Sequence, residues 1–124
     1  MSDKTEKAAP DPELLKSFAE EAKRRCDVIA AGLATETEDF ETLRSEAHAL
    51  KGTAGAVGLR RLAELAGLME SDLAEAKKSG ELRGGRSHQI ADAAKALAEG
   101  ASAAAEGKEE PPDVGRSLAQ LFSA

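Results

Sequence analysis

Residues 43–58 read Leu43-Arg-Ser-Glu-Ala-His48-Ala-Leu-Lys-Gly-Thr-Ala-Gly-Ala-Val-Gly58. At about 100° per residue, Leu43, Ala47, Leu50, Ala54 and Val57 fall on one stripe in a 4-3-4-3 spacing. Arg44, Ser45, His48, Lys51, Gly52 and Gly55 gather on the opposite side. The spacing predicts an amphipathic helix whose histidine faces outward. Glycine inside a helix costs roughly 1 kcal/mol relative to alanine. This chain uses alanine freely, so Gly52 and Gly55 on the histidine's face predict a surface kept clear for close approach. The competing reading, another helix of the same chain packed onto them, is disfavoured because the apolar stripe lies elsewhere. Gly58 stands where the periodic pattern stops and is predicted to cap the helix in the left-handed conformation.

Outward from this segment the pattern stays helical. Asp11 and Pro12 form a cap and first turn, and Leu14, Phe18, Ala22, Cys26, Ile29 and Leu33 recur at helical spacing up to about Ala34. A break follows at 35–39. After Gly58 a third helix runs from Leu59 to about Lys78, with Leu62, Leu65, Ala66, Met69, Leu73 and Ala76 as its stripe. So short a turn makes these two helices an antiparallel hairpin. Residues 79–87 form a glycine-rich loop. A fourth helix, about Ser87 to Glu106, carries Ile90, Ala94, Leu97 and Ala101, a thin stripe that predicts close but weak packing. Pro111-Pro112 breaks the pattern, and Asp113 is a candidate cap for a short last helix ending with Leu118, Leu121 and Phe122. The expected fold is all-α, an antiparallel up-and-down four-helix bundle with an extra short C-terminal helix. The expected organisation is a disordered tail at 1–10, the bundle at 11–106, and a linker with a short helix at 107–124.

The totals narrow the function. With 124 residues one domain is expected. Aromatics make up 2% of the chain, which leaves a core of Leu, Ala, Val and Ile and favours helix packing. A net charge of −6 opposes general nucleic-acid binding. No apolar run reaches the length of a membrane span, and the charged N-terminus lacks the apolar stretch of a secretion signal, so a cytoplasmic location is the default. Cys26 is the only cysteine and reads as a small buried hydrophobe. His88 follows the glycine-rich loop with no motif around it and reads as an exposed residue at a helix start. The histidines and the cysteine show no metal-ligand spacing.

His48-x-Leu50-Lys51-Gly52, then Gly58, Leu62, Leu65 and Glu70, resembles the histidine-containing phosphotransfer (HPt) domains of two-component phosphorelays. The likeness is specific over residues 40–73; the flanking helices match in type and length. The resemblance implies that His48 carries a phosphoryl group to or from aspartates of receiver domains, or takes it from a histidine kinase. It implies that Glu70 accepts a hydrogen bond from Nδ1 of the imidazole and leaves Nε2 as the reacting atom. An imidazole is a fair nucleophile near neutral pH, and phosphoryl transfer depends mainly on positioning and charge neutralisation. Lys51, one turn from His48, fits the neutralising role as a point charge.

Arg44, Arg60 and Arg61 are read with Ser45, Gly52 and Gly55 as a partner-binding surface, the arginines forming a local basic patch that suits a receiver's acidic pocket. Nothing resembles an ATP-binding segment, so a carrier is expected rather than a kinase. No cofactor is expected on the chain, and Mg²⁺ belongs to the partner receiver. A monomer suffices for this role. Two other readings stay open: a non-catalytic bundle that binds a receiver or kinase, and the phosphoacceptor fragment of a larger histidine kinase.

Overall fold

The computed structural model describes residues 11–35 and 39–123. The expected tail at 1–10 lies outside the described residues. Five helices follow in order: α1 Pro12–Ala34, α2 Phe40–Ala56, α3 Arg60–Ser79, α4 Arg86–Ala105 and α5 Pro112–Phe122. The first four form the up-and-down bundle. α2 packs most extensively on α3 and α1 on α4, and α5 lies against α3 and α4.

Local chemistry sets the helix ends. The Asp11 carboxylate accepts from the Glu13 N–H at 2.8 Å, and Pro12 supplies the preset first turn. Asp39 caps α2 by accepting from the Thr42 N–H at 3.1 Å. Gly58 has φ +86° and ends α2 as expected. Its N–H bonds the Gly55 carbonyl at 3.1 Å, and Leu59 N–H bonds the Ala54 carbonyl at 2.9 Å. This paired closure reverses the chain within a few residues and starts α3 at once. Asp113 does not cap α5. Pro111 holds that position and Pro112 opens the helix, so Asp113 falls inside the first turn and pairs with Arg116.

The core is aliphatic. Leu43, Ala47, Leu50 and Ala54 of α2 meet Leu62, Leu65, Ala66, Met69 and Leu73 of α3, all buried. Each fully buried leucine contributes about 1.5–3 kcal/mol. On α1 the buried run begins at Phe18, and Leu14 is 54% exposed. The register explains this. Thr53 of α2 bonds Glu21 of α1 at 3.2 Å, so Leu14 stands about 6 Å beyond the last residue of α2. Phe122, at the end of α5, is likewise exposed, whereas Val114 and Leu121 are buried.

The fourth helix departs from its expected weak packing. Ile90, Ala93, Ala94, Ala96, Leu97, Gly100 and Ala101 are all buried, because α4 is flanked by α1, α3 and α5. At Gly100 a Cβ would stand 2.9 Å from Leu62 Cδ2 and 3.1 Å from Val114 Cγ2, so the missing side chain lets three helices meet. Arg86, buried at the start of α4, reaches the end of α5. Its guanidinium donates to the carbonyls of Gln120, Leu121 and Ser123 at 3.1, 3.4 and 3.0 Å, and so satisfies carbonyls that the helix end leaves unpaired. Its Nε lies 3.2 Å from Asp72 Oδ2 of α3, an ion pair without an aligned hydrogen bond.

Polar side chains brace α2 against α1. Arg25 donates to Glu21 on its own helix at 2.7 Å and to Glu46 on α2 at 2.9 Å. Thr53 joins the same Glu21 carboxylate. Cys26 lies buried behind this brace, and burial pushes its thiol up to about 12, which makes it an inert packing group.

Candidate functional site

α2 presents His48 outward because its apolar stripe faces α3 and the core. The imidazole is 62% exposed. α3 runs back alongside, so Glu70, ten residues after Arg60, comes level with His48. Its carboxylate is 16% exposed at the edge of the interface. His48 Nδ1 lies 2.8 Å from Glu70 Oε2. Lys51 Nζ lies 3.0 Å from Glu70 Oε1, and Arg44 Nη1 donates to Oε2 at 3.2 Å. Burial alone would push the Glu70 carboxyl up; the hydrogen bonds from Lys51 and His48 and the Lys51 charge outweigh it and hold it below the usual range. An ionised carboxylate can only accept, so Nδ1 carries the imidazole proton and the Nε2 lone pair is available. No hydrogen bond to Nε2 exists among the described residues.

The face around Nε2 is bare. A Cβ added at Gly52 or Gly55 would meet nothing within 4 Å, so among the described residues no helix packs there. Ser45 is also exposed on this side. The arrangement offers a nucleophilic nitrogen, a fixed carboxylate behind it, a nearby ammonium, and room for a flat partner.

The family model for the Hpt domain matches residues 13–106. The chain belongs to the Hpt domain family. No curated protein matches the chain. Membership gives this Hpt domain a phosphotransfer-module role in two-component signalling, where Hpt domains interact with receiver domains and kinases. Among the described residues no helix is long and apolar enough to cross a membrane, and no cluster of His, Cys, Asp and Glu could hold a metal ion.

The Hpt domain does not gather all the expected residues. Arg44, Lys51 and Glu70 meet at His48, but the arginines form no single patch. Arg44 is drawn inward by Glu41 and Glu70. Arg60 and Arg61 open α3, about 15 Å along the helix from Glu70, and Arg61 bonds Glu110 at 2.9 Å instead. Among the described residues an acidic neighbour claims each of these guanidiniums except that of Arg60. His88 is exposed in the first turn of α4, as expected.

Two contributions were not foreseen. Gly67 lies one turn before Glu70, and a Cβ there would stand 3.3 Å from Lys51 Cδ. The bare backbone lets the lysine stem cross α3 to reach the carboxylate. The available signal was a third costly helix glycine, three residues from Glu70. Glu41 is the other. It binds Arg44 through both oxygens at 2.9 Å and Lys77 of α3 at 2.9 Å. Only its spacing from Arg44 hinted at this pairing.

Proposed function

We propose that this Hpt domain is a cytoplasmic phosphocarrier that exchanges a phosphoryl group between His48 Nε2 and receiver-domain aspartates. The observation that carries the reading is the Nδ1–Glu70 bond of 2.8 Å behind an imidazole whose outer side is bare. Nε2 attacks the phosphorus of a receiver's aspartyl phosphate. The N–P bond forms as the P–O bond to the carboxylate breaks, and the carboxylate leaves with the electron pair. No proton has to move. The ring keeps its Nδ1 proton and gains positive charge, which the Glu70 carboxylate directly opposes. Lys51 neutralises charge on the phosphoryl oxygens. The reverse attack returns the group to a carboxylate, and the receiver supplies Mg²⁺.

The docking face runs along α2 over Ser45, Gly52 and Gly55. Val28 of α1 extends it. This residue is 42% exposed and stands one turn beyond Arg25, on the side of α1 that faces α2.

The test is transfer of label to the purified chain from phosphorylated receivers and kinases of the same organism, with His48→Ala alongside. Acid-labile, alkali-stable label on the wild type and none on the variant establishes the phosphohistidine. Binding without label from any donor reduces the domain to a docking module.

A further inference from the structure

Glu70 is held by partners of unequal freedom, and this matters once His48 is read as the phosphoacceptor, a reading on which the inference rests. Lys51 reaches Oε1 with one ammonium contact at 3.0 Å and is 47% exposed. Its flexible stem and rotating donors let it follow a larger negative charge. Arg44 is clamped. Its Nε and Nη2 donate to the two oxygens of Glu41 at 2.9 Å each, and its Nη1 donates to Glu70 Oε2 at 3.2 Å. Glu41 is itself pinned by Lys77 Nζ at 2.9 Å. The guanidinium fork is therefore fixed from both α2 and α3.

A phosphoryl group on Nε2 brings a dianion within one helical turn of Lys51. The lysine turns toward it, and Glu70 loses a counter-charge while its bond to Nδ1 is most needed. We infer that Arg44, fixed by Glu41 and Lys77, is a positioning residue that keeps the Glu70 carboxylate against Nδ1 of His48 while Lys51 serves the phosphoryl group. The charged groups in contact with Glu70 are Arg44, His48 and Lys51 from α2, with Glu41 and Lys77 acting through Arg44.

The experiment uses the whole chain and phosphoramidate as a small phosphoryl donor, so that no docking step intervenes. Rates against pH are measured for wild type, Arg44→Met, Glu41→Gln and His48→Ala, with ¹⁵N spectra of the imidazole. Arg44→Met is expected to slow labelling about 10-fold. It is also expected to move the acid limb of the rate profile to higher pH, because a less compensated carboxylate favours the imidazolium, and to reduce the Nδ1–H tautomer of the neutral imidazole before labelling. Glu41→Gln leaves both His48 and Glu70 in place and is expected to give a smaller shift in the same direction. Wild-type rates, profile and tautomer in both variants overturn the inference. If Arg44→Met fails to fold, an unchanged profile in Glu41→Gln overturns it alone. Label persisting in His48→Ala, or absent from wild type, overturns the phosphocarrier reading instead, and the inference falls with it.

Discussion

Glu70 Oε2 and His48 Nδ1 lie 2.8 Å apart across the α2–α3 seam, yet the carboxylate is 16% exposed and the imidazole 62%. The anchor is sheltered and the group it steers is open. Glu70→Ala is therefore expected to slow phosphoryl transfer about 10-fold or more. Glu70→Gln keeps an acceptor for Nδ1 without the charge and should fall between. Neither should shift the urea unfolding free energy by more than about 1 kcal/mol, since Lys51 can turn to solvent and Arg44 keeps its bonds to Glu41. Transfer at the wild-type rate in Glu70→Ala would remove the carboxylate from the mechanism.

The open glycines separate stability from docking. Gly52→Ala meets no atom within 4 Å and should raise stability by about 0.5–1 kcal/mol, because alanine favours the helix. Gly52→Trp should fold equally well and accept phosphoryl from phosphoramidate, but lose transfer from a phosphorylated receiver. Loss with both donors would mean that the bulky residue disturbs His48 itself.

Acid should weaken the bundle in a defined window. Hydrogen bonds from Arg44 and Lys77 hold the Glu41 carboxyl down at about 2 against an ordinary 4.5, and Glu70 is lowered as well. A carboxyl lowered in the folded state stabilises the fold above its unfolded value, and that stabilisation disappears as pH falls through the folded value. The urea midpoint should therefore drop between pH 4.5 and 2, and Glu41→Gln should flatten the decline. Asp72 works the other way. Burial raises it despite Arg86 and Arg83, so its protonation relieves a cost. A midpoint independent of pH across this range would show that these pairs do not matter to stability.

Much of this was legible before the structure. Leu43, Ala47, Leu50 and Ala54 announced the buried face of α2 by period alone, and His48 followed as outward. Gly58 signalled the turn that brings α3 back, and with it Glu70. Alanine defeats the same reasoning: it suits either side of a helix, so Ala93, Ala96 and Gly100 gave no sign that α4 would be enclosed by three neighbours. Ion pairs between helices were also hidden. Whether Arg61 turns to His48 or to Glu110 depends on the rotation and register of separate helices, which periodicity within one helix does not carry. Arg86 was invisible for that reason too.

The buried Arg86 supplies a further test. Arg86→Met would strip three carbonyls at the end of α5 of their donor and leave Asp72 only the exposed Arg83, 3.8 Å away, as counter-charge. A loss of about 3 kcal/mol is expected, and hydrogen exchange should show α5 amides released ahead of those in α2 and α3. Uniform exchange across all five helices would mean that α5 unfolds only with the bundle.

The brace of Glu21, Arg25, Glu46 and Thr53 has a consequence for encounter with a partner. It fastens α2 to α1 along one edge, while Arg44, His48 and Lys51 fasten it to α3 along the other. The helix is a plank nailed down on both sides, with its upper surface left unplaned by bulky groups. A receiver landing on it has no slack to take up and no segment to order, so little of the contact energy goes to immobilising the carrier. The exchange can then be brief and weakly held, which is what the proposed carrier role asks of a molecule that releases one partner to meet the next.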